Sequence, residues 1–122
     1  MADLHESLVR AFRKKVMRKG MRESKSPMPT YRPDIFAEKV SEHGSVLEQV
    51  AVEAEIPSTL FTEHTSHQLI TMHGFIRLQR AKRIRVRGYL LVPRNRKVLT
   101  NAKTLLFSLF PEGTPIEVVE AA

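Results

Sequence analysis

The chain has 122 residues, a net charge of +7 and no cysteine. This length predicts one domain with a core large enough to fold without a metal or a disulfide. The lack of cysteine excludes disulfides, thiolate nucleophiles and cysteine-based zinc sites. No apolar stretch approaches the roughly 20 residues of a membrane span, and no secretory signal is recognisable. We therefore expect an intracellular protein of the cytoplasm, nucleoid or an organelle matrix.

The charge is strongly segmented along the chain. Residues 1–25 carry eight Lys or Arg against three acids, whereas residues 34–65 carry one Lys against seven acids. Residues 77–103 then hold ten Lys or Arg and no acid, and seven of those ten are Arg. Such asymmetry predicts different partners for different segments.

The first predicted element is a basic amphipathic helix over residues 4–19. Apolar side chains recur along it at every fourth position, at Leu4, Leu8, Phe12 and Val16. Three prolines within residues 27–33 predict an extended linker, so we place a domain boundary near residue 33. We interpret residues 1–33 as a tail whose apolar stripe binds a protein partner. A membrane surface and nucleic acid are the alternative partners of this helix.

Residues 34–72 are predicted to form a layer of three short helices. Asp34 would cap the first, which runs to about His43, and Ser45 would cap the second, over residues 46–55. The third covers residues 58–72. Because seven acids lie in residues 34–65, we expect this layer to face other protein subunits.

After Gly74, the spacing of apolar residues changes from that of a helix to the alternation of a strand. Residues 75–79 and 83–92 alternate apolar and polar side chains about the polar turn 80–82, and this pattern predicts a β-hairpin. Beyond it, residues 95–110 have the apolar spacing of a helix, and residues 116–119 that of a short third strand.

The predicted fold class is therefore α+β. Residues 34–122 would form a single domain, in which about three helices are followed by a basic hairpin, a further helix and a short strand. The N-terminal helical tail would extend from this domain.

The hairpin places its cations on one face, because side chains alternate along a strand. Crowded like charges are destabilising unless a counter-charge neutralises them, and Arg binds phosphate oxygens in pairs. An acidic protein, a lipid surface or solvent would also neutralise them. We predict a nucleic-acid-binding surface formed by Arg77, Arg80, Lys82, Arg83, Arg85, Arg87, Arg94, Arg96 and Lys97, with Arg13, Lys14 and Arg18 from the tail.

Part of the chain carries a motif-like pattern. Leu47-Glu-Gln-Val-Ala51 and Ile56-Pro-Ser-Thr-Leu60 are spaced as a helix, a tight turn and a second helix, and Met72-His-Gly-Phe-Ile-Arg77 as the entry to a strand. Residues 46–92 thus resemble a winged helix–turn–helix domain, and the resemblance implies a DNA-binding regulator. Residues 58–72, the recognition helix of that resemblance, contain no Lys or Arg. We therefore expect contact with the phosphate backbone rather than reading of bases.

Candidate catalytic and metal-binding groups are few. His64 and His67 share a helix face beside Glu63, and His73 follows; we interpret them as surface histidines, with a metal site as the alternative. No P-loop, glycine-rich phosphate loop or carboxylate pair is recognisable. We therefore expect neither an enzyme nor a bound cofactor or metal.

The leading functional hypothesis is a non-enzymatic structural subunit of a nucleoprotein assembly, such as a ribosome or a viral particle. Its basic hairpin and tail would grip the backbone of RNA or DNA. The alternatives are a winged helix–turn–helix transcriptional regulator and an interaction adaptor that uses the N-terminal helix.

Overall fold

Three helices and a five-stranded mixed sheet make up the α+β fold, in a computed structural model that describes residues 3–121. The α+β fold class predicted from the sequence is confirmed, although several of the predicted elements are not. The elements in chain order are α1 (Leu4–Met17), β1 (Arg22–Glu23), β2 (Ile35–Val40), β3 (Val46–Ala54), α2 (Glu63–Ala81), β4 (Arg85–Val92), α3 (Arg96–Leu109) and β5 (Ile116–Glu120).

The strands lie in the sheet in chain order. The first three form an antiparallel meander, whereas β3, β4 and β5 are parallel to one another. Parallel neighbours need a crossover, which α2 and α3 provide. Both of these helices pack on one face of the sheet, and α1 packs on the other face. Among the described residues, no helix is long and apolar enough to cross a membrane.

The N-terminal segment belongs to the core rather than to an extended tail. Asp3 caps α1, its side chain accepting a hydrogen bond from the Glu6 backbone N–H at 2.8 Å. Leu8 and Val16 are buried against the sheet, and β1 pairs with β2. The amphipathic helix is therefore confirmed, but the expected tail over residues 1–33 is wrong for its described part.

The second predicted helical segment is instead an antiparallel pair of strands. β2 and β3 are joined by a turn in which the Ser41 N–H donates to the Ser45 carbonyl at 2.8 Å and Gly44 has a φ of 82°. Asp34 precedes the strand β2 rather than a helix, and its Oδ2 accepts a hydrogen bond from the Ala54 N–H at 2.8 Å. The predicted helices over residues 34–43 and 46–55 are therefore wrong.

The long helix α2 replaces both the predicted short helix 58–72 and the first hairpin strand. Thr62 caps it, and its buried side chains follow the helical period from end to end: Thr65, Leu69, Met72, Phe75, Ile76 and Gln79. The helix packs closely on β4 at Gly88, where an added Cβ would clash with Ile76 Cδ1. The predicted β-hairpin is therefore wrong, and only its second strand exists, as β4.

The winged helix–turn–helix arrangement is also absent from residues 46–92, because residues 46–54 form a strand in the middle of the sheet. The C-terminal predictions are confirmed. Asn95 caps α3 through hydrogen bonds from the Lys97 and Val98 N–H groups at 2.9 and 3.2 Å, and β5 completes the sheet.

Candidate nucleic-acid interface

The predicted basic block is divided between the two ends of β4. This strand runs from Arg85 to Val92, which separates its ends by roughly 23 Å at a rise of about 3.3 Å per residue. Arg94, Arg96 and Lys97 follow the strand and lie at its carboxyl end, whereas the other arginines precede or begin it. The prediction that residues 77–103 form one surface is therefore wrong. We call the end at which β4 begins the cationic end and the opposite one the carboxyl end.

The connection from α2 to β4 fixes two cations at the cationic end. The Ile84 N–H donates to the Gln79 carbonyl at 3.1 Å, and the Arg83 N–H donates to the Arg80 carbonyl at 2.9 Å. This is a Schellman cap, whose first residue beyond the helix adopts a left-handed conformation. Arg83 holds that position with a φ of 64°, and it is exposed together with Lys82.

The first residues of β4 direct two further arginines toward the side of the sheet on which α1 lies. Val86 is buried in the core cluster beneath α2, so its neighbours Arg85 and Arg87 project from the opposite face. The Arg87 side chain is half exposed, with its Nε 3.6 Å from the Glu48 Oε1. Two neighbouring arginines are therefore presented on one face of the sheet, and Glu48 is the carboxylate that pairs with Arg87.

The last turn of α1 lies beside these arginines. A groove of about 430 Å³ separates the helix from the sheet, and Lys15, Lys19 and Arg87 are among the residues that line it. The rings of Phe12 and Tyr89 pack edge to face in the same groove, with their centroids 5.8 Å apart. The Lys15 Nζ lies 5.9 Å from the Phe12 ring centroid. Two segments that are far apart in the sequence therefore form one basic surface.

Few carboxylates in the described part of the chain neutralise the cations of this surface, which lies at the cationic end. Within residues 3–121 the ion pairs shorter than 4.0 Å are His5–Asp34, Arg13–Glu23 and Arg87–Glu48. Glu48 and Glu117 also line the groove. Of its eight exposed cations, only Arg87 has a carboxylate within that distance in the described chain; the eight are Lys14, Lys15, Arg18, Lys19, Lys82, Arg83, Arg85 and Arg87.

The remaining predicted cations are placed differently. Arg13 is held by Glu23 at 3.0 Å, and the Arg80 Nη2 donates to the Val86 carbonyl at 3.0 Å. Arg77 is exposed on α2. Sequence reasoning missed Lys15 and Lys19, although each follows an apolar position of the α1 stripe by three residues and therefore lies on the same side of the helix.

The apolar stripe of α1 is mostly occupied within the chain. Leu8 and Val16 are buried, Phe12 is half-buried against Tyr89, and Leu4 remains 50% exposed. The prediction that these four side chains bind a partner is therefore wrong for Leu8 and Val16. They form the interface between α1 and the sheet.

The acidic segment 34–65 does not form one exposed layer. Glu53 and Glu55 are buried, and Glu38 is half-buried, where it accepts hydrogen bonds from the Ser24 hydroxyl and the Gln49 amide. Gln49 in turn accepts a hydrogen bond from the buried Gln79 amide at 2.8 Å. The expectation that this segment faces other subunits as a layer is therefore wrong.

The histidines of α2 have different environments. His64 and His67 are exposed near its N-terminus. His73 stacks on Phe110 with ring centroids 4.3 Å apart, and its Nδ1 lies 2.8 Å from the Thr114 Oγ1. Desolvation, and secondarily the nearby Arg77, lower the pKa of His73, so its position in the fold favours the neutral ring.

Comparison of the chain with protein-family models, with curated proteins and with solved structures finds no match.

Proposed function

We propose that this protein binds the phosphate backbone of nucleic acid through the cationic end. One observation carries the proposal: two distant segments of the chain place eight exposed cations at the cationic end, and seven of them have no carboxylate within 4.0 Å in residues 3–121. Three of the eight, Lys15, Lys19 and Arg87, line the groove between α1 and the sheet. Like charges brought together in this way repel one another. Binding of a polyanion neutralises them and therefore lowers the electrostatic free energy of the protein.

The backbone geometry at Arg83 supports the same assignment. A left-handed conformation costs a residue with a side chain about 1–2 kcal/mol, and glycine would avoid this cost. Strained residues of this kind cluster at functional sites. Here the left-handed residue lies at the corner between α2 and β4, and its guanidinium is exposed.

The mode of binding we propose is contact with phosphates, with little preference for sequence. The cations are lysines and arginines spread over a helix end, a turn and a strand, rather than on one helix that would enter a groove of the duplex. Both RNA and DNA present the necessary phosphates. For six to ten phosphate contacts, affinity falls by about 10³–10⁵ between 50 and 200 mM salt.

Residence in an intracellular nucleoprotein assembly, without catalysis, is the biological role we propose. Exposed aromatic and aliphatic side chains on the far side of the sheet support it, because they suit contact with protein neighbours. Phe61, Ile70 and Phe107 are 59%, 52% and 72% exposed. They lie on or just before α2 and α3, away from the groove beneath α1.

A matched pair of charge reversals tests the proposal. The variant Arg83→Glu/Arg85→Glu/Arg87→Glu alters the cationic end, and the control Arg94→Glu/Arg96→Glu/Lys97→Glu makes the same change of charge at the carboxyl end. We expect the first to weaken binding of a fluorescent RNA or DNA at 50 mM salt by at least 100-fold, and the control by less than tenfold. Equal losses, or no loss in the first variant, would refute the proposed site.

A further inference from the structure

The groove between α1 and the sheet differs in chemistry from the rest of the cationic end. Its volume of about 430 Å³ lies within the range of roughly 300–1,000 Å³ that is usual for ligand sites. Its lining includes the buried side chains of Val16, Met21 and Val50. Phosphates bind to cations rather than to apolar side chains, so contact with the backbone alone would leave this apolar surface without a ligand.

Two aromatic rings line the groove and remain accessible in it. Phe12 and Tyr89 are each half-buried, whereas Tyr31 and Phe75 are fully buried in the core. The rings of Phe12 and Tyr89 have their planes 65° apart, and the Lys15 Nζ lies 5.9 Å from the Phe12 centroid. Accessible aromatic rings within a cationic groove are the combination that binds single-stranded nucleic acid, whose bases stack on the rings.

The aromatic rings are close to the cations that we expect to bind phosphates. Arg85, Arg87 and Tyr89 project from the same face of β4, at intervals of about 6.6 Å. Lys15 and Lys19 are exposed on α1, across the groove from this strand. A backbone whose phosphates lie at the two arginines therefore brings the adjoining base within reach of Tyr89.

Two carboxylates select among the ligands that combine an anionic group with an apolar part. Glu48 and Glu117 line the groove together with the cations. A ligand that contacts a carboxylate must donate a hydrogen bond, because an ionised carboxylate only accepts one. Adenine, cytosine and guanine have amino groups that donate. The acyl chain of a lipid has no donor, and an acidic peptide would bring further like charges to the two glutamates.

We infer that this groove binds an unpaired base of single-stranded RNA or DNA, stacked on Tyr89 or Phe12, while the surrounding cations bind the adjoining phosphates. The inference rests on the proposed backbone binding and names the form of nucleic acid that fills the groove. In a duplex the neighbouring bases cover both faces of each base, so a duplex binds through its phosphates alone. Stacking accepts any base, and the carboxylates favour the bases with an amino group.

The Tyr89→Leu substitution tests this inference, because leucine keeps an apolar side chain but has no aromatic face. The probes are a short fluorescent single strand of mixed sequence and the corresponding duplex, each titrated with the full chain at 50 mM salt. We expect Tyr89→Leu to weaken binding of the single strand by at least tenfold and of the duplex by less than about twofold. The control Phe107→Leu, at an exposed ring on α3, should change neither affinity.

The contrary results separate the inference from the function on which it rests. If Tyr89→Leu weakens both probes equally, or leaves the single strand unaffected, the groove does not bind a base, although the backbone binding of the native protein stands. If the native protein binds neither probe, the proposed function and the inference are both wrong. Flotation with vesicles of anionic phospholipid that Tyr89→Leu abolishes, with single-strand binding unchanged, would assign the groove to a lipid instead.

Cross-linking of the native protein decides the question if circular dichroism shows that Tyr89→Leu is unfolded. Ultraviolet irradiation joins a base covalently to an aromatic side chain on which it stacks. Mass spectrometry of the irradiated complex with the single strand should therefore place adducts at Phe12 or Tyr89. Adducts found only at residues outside the groove would overturn the inference.

Discussion

At the residue scale, Arg83 adopts a strained left-handed conformation and is also one of the cations proposed to bind phosphate. The Arg83→Gly substitution places the residue best suited to a left-handed φ at the end of α2 and removes one cation. We expect the free energy of unfolding to rise by about 1 kcal/mol, measured in urea, because the strain is relieved. Affinity for nucleic acid should fall at the same time. A substitution that lowers both stability and affinity would contradict this account of Arg83.

Glu53 gives a second expectation at this scale, concerning pH. Its pKa is 4.5 ordinarily and about 9 in the folded protein. Between these values the unfolded chain releases a proton that the folded chain retains, so stability falls as pH rises through this window. Glu53→Gln should therefore be more stable than the native protein at pH 8, by several kcal/mol at about 1.4 kcal/mol per pKa unit. The advantage should vanish at pH 4, as thermal unfolding at the two pH values would show.

At the element scale, the docking of α1 replaces the predicted tail and is directly testable. Leu8 is buried between α1 and the sheet, whereas Leu4 on the same stripe is half exposed. Leu8→Ala should lower the free energy of unfolding by about 2–4 kcal/mol, as expected for a buried leucine. Leu4→Ala, the matched control, should cost less than about 1 kcal/mol. Equal, small effects in urea unfolding would mean that α1 is not part of the core.

The elements that sequence reasoning found were those with unambiguous local signals. The apolar period of α1 and α3 and the Asn95 cap are visible in the sequence, as is the short strand β5 between turn residues. By contrast, β3 was predicted as a helix, because its local signals are misleading. Its second half, Val50–Ala54, is buried on both faces and lacks alternation, and its two alanines and one glutamate favour helix.

The error over residues 75–81 has a different cause. Phe75, Arg77 and Gln79 alternate with Ile76 and Leu78 as in a strand, yet Phe75, Ile76 and Gln79 also continue the helical period of the preceding residues. The C-terminal signal of α2 is hidden, because Arg83 occupies the position at which glycine usually marks the end of a helix.

At the scale of the whole molecule, the cationic and carboxyl ends are separated by the length of β4. The sequence identified most of the cations but not their division, which depends on the direction of one strand and on the docking of α1. The proximity of Asp34 and Glu53 also depends on the pairing of β2 with β3, two strands that were predicted as helices. These two residues are about 20 positions apart in the chain, so no local pattern brings them together.

The central claim is that the cationic end, rather than the basic residues in general, binds the backbone. The most direct measurement is a two-dimensional amide NMR titration of the isotope-labelled protein with a short duplex at 50 mM salt. We predict that the largest shifts fall within residues 14–19 and 80–87, and that they disappear at 300 mM salt. Shifts centred on residues 94–97, or shifts insensitive to salt, would contradict the claim.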